Sequence, residues 1–190
     1  MDRPHLTRPR PWVIVPGIWN SDPDHWQSLW QAEREAADPG SAVRIEPGSW
    51  SDPEPTDWHA AITRAVAALD EPPVLVAHSL GVLAVAGWLR DVGRPPIAGA
   101  FLVAPPDPAA PDFPAAAAGF TEPGSRTTTP VRLVVSDDDP YCSAERAIGF
   151  GETLGAEVVR VGALGHVNVA SGIGRWGAGR ELLRDFEHRL

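Results

Sequence analysis

Val74-Leu75-Val76-Ala77-His78-Ser79-Leu80-Gly81 opens as an apolar run of strand length and continues past Gly81 into the apolar stretch Val82 to Leu89. Such a run fits a buried strand that turns sharply into a helix, with Ser79 at the corner. Small residues two before and two after a serine mark the G-x-S-x-G turn, where close approach of strand and helix holds the hydroxyl out on a strained backbone. Gly81 meets this pattern and Ala77 departs from it by one methyl. Read alone, A-x-S-x-G fits equally an ordinary strand-to-helix turn whose serine caps the helix. The rest of the chain has to decide.

Outward from this corner, short apolar runs alternate with longer segments of helical period, the pattern of a parallel sheet covered by helices on both faces. Strands are expected at Trp12-Val15, Val43-Glu46, Val74-Ala77, Gly99-Val103, Val131-Val135 and Glu157-Val161. Helices are expected at Asp24-Ala37, Asp57-Leu69, Leu80-Asp91 and Ser143-Leu154, with a last one near Trp176-His188. Trp26, Leu29 and Trp30 fall on one helical stripe and read as core. The connection from Ala104 to Pro130 holds seven prolines and the alanine run Ala115-Ala118. Loops of this length in compact domains serve as lids or binding loops, so it reads as a short lid with one helical turn around Ala115-Phe120. The chain reads as a single domain, 1–190, with a flexible N-terminus over 1–10 and no internal repeat.

Two further segments carry chemistry at strand ends. Ser136-Asp137-Asp138-Asp139-Pro140-Tyr141 follows one predicted strand, and Gly162-Ala163-Leu164-Gly165-His166-Val167-Asn168 follows the next. Nucleophile, acid and histidine thus come in the order that suits a serine at such a turn. His166 would take the Ser79 proton and return it to a leaving group, while an aspartate fixes the imidazole tautomer. Asp139, stiffened by Pro140, is the first choice of acid, Asp138 the second, and Asp107 a distant third. An acyl-transfer site also needs backbone donors for an oxyanion. Leu80 N–H, at the start of a helix, is one candidate; Ile18 N–H, from the loop Val15-Pro16-Gly17-Ile18-Trp19-Asn20, is the second, with Trp19 close behind. His78 reads as structural support pointing away from Ser79, and His25 as a helix cap or packing residue, with a place at the pocket mouth as the alternative. His5, His59 and His188 read as surface or packing residues.

Composition sets outer limits. The 190-residue chain carries a net charge of -9, and its sixteen basic residues, all arginine, are scattered. That leaves no basic stripe for nucleic acid or anionic lipid. The absence of lysine excludes a Schiff-base lysine, a Walker-A lysine and a Ser-Lys dyad. Cys142 is the single cysteine, so it has neither a disulfide partner nor companion thiols for zinc, and without a turn motif it does not read as a nucleophile. The polar, proline-rich N-terminus is neither signal peptide nor anchor. A cytoplasmic protein working without metal or cofactor is expected, with no membrane or nucleic-acid partner.

Pro16-Gly17-Ile18-Trp19-Asn20-Ser21-Asp22-Pro23-Asp24-His25-Trp26, Ala77-His78-Ser79-Leu80-Gly81, Ser136-Asp137-Asp138-Asp139-Pro140-Tyr141 and Gly165-His166-Val167-Asn168 occur in this order. With them the chain resembles, nearly end to end, the small serine-hydrolase family of retinoblastoma-binding protein 9 and bacterial YdeN. The resemblance implies an α/β-hydrolase fold: a three-layer sandwich of about six mostly parallel strands, order 2-1-3-4-5-6, with no large cap domain. It places a catalytic triad on Ser79, Asp139 and His166 and implies hydrolysis of a small-molecule ester or amide. Trp19, Trp26, Trp50 and Trp58 are candidates for an apolar acyl pocket, although tryptophans more often pack. Two other readings compete: a protein-binding module that keeps the fold without turnover, suggested by Ala77, and dehalogenase chemistry, which normally needs an aspartate where Ser79 stands.

Overall fold

The computed structural model describes residues 9–190, so nearly all of the expected flexible N-terminus lies outside the described residues. Six strands form one sheet: β1 (Trp12–Val15), β2 (Ala42–Arg44), β3 (Val74–His78), β4 (Gly99–Val103), β5 (Val131–Val135) and β6 (Glu157–Arg160). Their order is β2-β1-β3-β4-β5-β6. Every pairing is parallel, so the expected "mostly parallel" sheet is parallel throughout. Five helices complete the fold: α1 (Trp26–Ala37), α2 (Pro55–Ala67), α3 (Leu80–Val92), α4 (Ala144–Leu154) and α5 (Gly177–Glu187).

Strand periodicity sorts the side chains into two cores. Val13, Val15, Leu75, Ala77, Leu102 and Leu133 meet α2, α3 and α4 on one face. Trp12, Ile14, Val74, Val76, Phe101 and Val103 meet α1 and α5 on the other. Central strands buried on both faces cannot alternate apolar with polar, which is why β1, β3, β4 and β5 read as continuous apolar runs. β5 breaks this rule once, at Arg132. Its guanidinium is buried but donates to Glu157, Asp185 and the Leu182 carbonyl, tying β5 to β6 and α5.

Element boundaries moved by one or two residues where side chains, not periodicity, set them. α2 begins at Pro55 rather than Asp57, because a proline in the first turn lacks only an N–H that the helix would leave unpaired anyway. α1 begins at Trp26 because the His25 ring, accepting the Gln27 N–H at 3.2 Å, caps it. β2 is shifted to Ala42–Arg44 and shortened, and β6 stops at Arg160. The long connection after β4 contains one 3-10 turn, Ala115–Ala117, within the expected segment. It packs down: Ala117 and Phe120 are buried, and Phe120 meets Trp58 edge-on at 5.6 Å. No large cap domain is present among the described residues.

Candidate active site

All residues in question lie at the carboxyl ends of the strands: Ile18 after β1, Ser79 after β3, Asp139 after β5 and His166 after β6. That edge is where parallel sheets hold ligands. Ser79 forms the corner between β3 and α3 with φ 55 and ψ -127. Such a backbone costs on the order of 1–3 kcal/mol, offset here by the bonds around it. The Ser79 N–H donates to Val103 O at 3.0 Å, and its carbonyl accepts the Val82 N–H at 2.8 Å. Nine buried residues of α3 anchor the far side of the turn. Gly81 is obligatory, since a Cβ there would lie 2.3 Å from Val15 O and 2.6 Å from Pro16 O. Ala77 is tolerated because its methyl points into the α2/α3 core, not at the turn.

His166 Nε2 stands 2.8 Å from Ser79 Oγ, and His166 Nδ1 stands 2.9 Å from Asp139 Oδ2. A carboxylate only accepts, so Nδ1 carries the proton, Nε2 is left as the acceptor, and the serine hydroxyl donates to it. The Asp139 side chain is 3% exposed and takes a further bond from the Tyr141 N–H at 2.9 Å. The loop holding His166 is fixed by its own set of contacts. Gly165 adopts φ 55, where a Cβ would strike Ser171 Oγ at 2.5 Å, and the His166 N–H donates to that same oxygen at 3.0 Å.

The run of three aspartates separates into three tasks. Asp137 pairs with Arg160 at the surface. Asp138 accepts the Gly165 N–H at 2.7 Å and bonds Ser136 Oγ, bracing the histidine loop. Only Asp139 reaches the imidazole. Asp107, the remaining alternative, is held by Arg146 at 2.8 Å, away from His166. His59 pairs with Asp91, and Cys142 is buried with its thiol pushed up to about 12 by burial and then by Asp107 and Asp139.

Behind the histidine runs a row of buried imidazoles. His78 lies 4.9 Å from the His166 ring and 4.8 Å from the His25 ring, centroid to centroid. Its Nε2–H donates to the His166 carbonyl at 2.8 Å, so it supports the histidine loop as well as the turn. Burial, reinforced by the neighbouring imidazoles, holds His78 well below the usual histidine range. His25 is pushed down to about 4 by burial, then by Arg44 and His166. It both caps α1 and lines the cavity, and its Nε2 is buried without a hydrogen-bond partner among the described residues. Gln27, which no sequence signal singled out, spans the sheet edge by donating to Val15 O and Val76 O.

Two residues that line the cavity beside Ser79 have backbone amides with no backbone partner among the described residues. Leu80 N–H is the first of α3, and Ile18 N–H follows the β1 turn. The alternative, Trp19 N–H, is occupied: it donates to Trp50 O at 2.8 Å. Around them opens a cavity of about 490 Å³ lined largely by apolar side chains, among them Ile18, Trp19, Phe113 and Tyr141. Trp26 and Trp58 are fully buried core residues, and Trp50 packs on Trp58, so of the four candidate tryptophans only Trp19 lines the cavity. Among the described residues no group of histidine, cysteine and carboxylate side chains is arranged to hold a metal ion, and no helix is long and apolar enough to cross a membrane.

The profile of the family described as serine hydrolase matches residues 12–185. The chain belongs to the serine hydrolase family. Among solved structures, this serine hydrolase family member is similar to a YdeN-like hydrolase from Pectobacterium atrosepticum, with 32% identity over 94% of this chain and 90% of that chain and a TM-score of 0.80. The YdeN product of B. subtilis matches at 21% identity, over 93% of this chain and 98% of that chain, with a TM-score of 0.76. A monoacylglycerol lipase from Paleococcus ferrophilus shares the fold at 15% identity, over 95% of this chain and 96% of that chain, with a TM-score of 0.70. No curated protein matches significantly. The YdeN side of the resemblance is met, while the retinoblastoma-binding protein 9 side rests on the motifs alone.

Proposed function

We propose that this serine hydrolase cleaves small carboxylic esters or amides through an acyl-enzyme on Ser79, with His166 as general base and acid and Asp139 as its partner. The observation that carries the reading is the unbroken chain of hydrogen bonds from Ser79 Oγ through His166 to Asp139, at 2.8 and 2.9 Å. Ser79 attacks the substrate carbonyl as His166 Nε2 accepts its proton. The resulting imidazolium is stabilised by Asp139. Negative charge developing on the carbonyl oxygen is met by the Leu80 and Ile18 amides, the first strengthened by the positive end of α3. His166 then protonates the leaving group, and a water activated by the same imidazole releases the acid. No metal or organic cofactor enters these steps.

The competing reading, a binding module without turnover, predicts a serine out of reach of its base, and the geometry supports the catalytic reading instead. A panel of 4-nitrophenyl esters from acetate to decanoate tests it. Turnover of at least one ester, lost in Ser79→Ala with the fold intact, is the expected result. No turnover of any member would favour the binding module.

A further inference from the structure

Four large apolar side chains stand most exposed among the described residues, and three of them ring the cavity at Ser79: Trp19 at 67%, Tyr141 at 44% and Val169 at 41%. Isolated exposed apolar residues need no explanation, but three around one concave site mark a place where an apolar ligand can be covered. The backbone that bears Trp19 is, moreover, fixed in an unusual turn. Trp19 adopts φ 68 and is followed by Asn20 at φ 70, a backbone region that residues with side chains avoid. The turn is fixed from several sides: Trp19 N–H donates to Trp50 O at 2.8 Å, Asn20 N–H to Gly17 O at 3.1 Å, and Arg44 Nη1 to Asn20 Oδ1 at 2.8 Å. These bonds fix the backbone that carries the indole beside the cavity.

The ordinarily charged side chains that line the same cavity have one sign. Asp22 and Asp112 both line the cavity, both are exposed, and among the described residues neither takes part in an ion pair. Among the described residues no arginine lines the cavity, and the chain has no lysine to contribute. Arg44, under the turn, is engaged by Asn20 Oδ1, Ser21 O and Ser28 Oγ. Its partners are uncharged, so Arg44 offsets part of the negative field from behind the turn; on the cavity wall itself an anionic substrate meets two carboxylates and no cation, at distances that a Debye length of about 8 Å does not screen. The overall charge of -9 acts in the same direction at longer range.

We propose that the site selects hydrophobic esters carrying no negative charge, with Trp19 covering the apolar part of the substrate and Asp22 and Asp112 turning anionic esters away. This deepens the serine hydrolase reading and rests on it. The test compares two esters that share leaving group and chain length: the 4-nitrophenyl ester of monomethyl adipate, which is neutral, and 4-nitrophenyl hydrogen adipate, which is anionic at pH 7.5. Spontaneous hydrolysis is subtracted. At low salt kcat/KM is expected to be at least tenfold higher for the neutral ester. The ratio should narrow at least threefold in an Asp22→Asn/Asp112→Asn double variant and again in 0.5 M NaCl. Trp19→Ala should raise KM for the neutral ester several-fold more than it lowers kcat. Equal or better turnover of the anion, a ratio that the double variant leaves unmoved, or an unchanged KM in Trp19→Ala would each overturn the inference. If both esters are cleaved alike by a Ser79-dependent activity, the hydrolase reading survives and the selectivity fails. Turnover of neither ester overturns the selectivity, and the hydrolase reading falls with it if Ser79 also resists a fluorophosphonate.

Discussion

The consecutive Asp137, Asp138 and Asp139 show how much a single position decides. Each carboxylate has a different partner, Arg160, the Gly165 amide and the His166 ring respectively, so neighbours in sequence are not interchangeable. Asp139→Asn keeps the shape but removes the group that fixes the imidazole tautomer, and kcat should fall by about 10³ to 10⁴. Asp138→Asn, which touches only the loop behind the ring, should cost far less; steady-state kinetics of the two variants on one ester distinguish them. Cys142 offers a contrasting expectation. With burial holding its thiol up to about 12, the native protein should not react with a thiol reagent at pH 8, and full reaction should appear only on unfolding in urea. Sequence alone ranked Asp139 first because of Pro140 but could not exclude Asp138, since the bonds that separate them cross from the loop after β5 to the loop after β6.

At the scale of elements, the central strands were the most legible part of the chain. β1, β4 and β5 have the bounds that their apolar runs imply, because strands buried on both faces leave an uninterrupted hydrophobic signal. The edge strand β2 was legible only to within a residue or two. Two of its three residues, Val43 and Arg44, are only partly buried, so its composition constrains it weakly. Helix starts were obscured for a different reason: Pro55 and His25 act at the first turn and the cap, where helical period is silent. Gln27 could not be found at all, since its two carbonyl partners lie on β1 and β3 and nothing local announces them. The β3–α3 turn was legible because the close approach demands a specific residue. Gly81→Ala should therefore destabilise the protein by about 3 kcal/mol through collision with the Val15 and Pro16 carbonyls. A thermal melt should show a fall of about 10 °C, given about 2–4 °C per kcal/mol for a chain of this size.

Over the whole molecule, the buried imidazoles couple the site to folding. His25 and His78 are both held neutral in the folded state, His25 near 4 and His78 well below the usual value of 6.5. The unfolded chain therefore binds protons that the folded chain refuses. The stability gained from neutral burial is complete above about pH 6.5 and is lost as pH falls, for His25 through the window down to about 4. On the order of 3 kcal/mol from His25 alone is at stake across that window, so urea midpoints should decline steadily from pH 7 to pH 5. The decline should be shallower in His25→Asn, which keeps a helix cap without the titrating ring; an equal decline in both proteins would remove His25 from the account.

The same sheet edge that buries these rings presents Ser79 to the cavity, and on that the functional reading depends. The most direct measurement is intact-mass and peptide analysis after treatment with a fluorophosphonate. One adduct per chain on the peptide bearing Ser79, abolished by Ser79→Ala and strongly slowed by replacement of His166, is the predicted result. A folded wild-type protein that stays unmodified at high reagent concentration, or one modified at another residue, would contradict it.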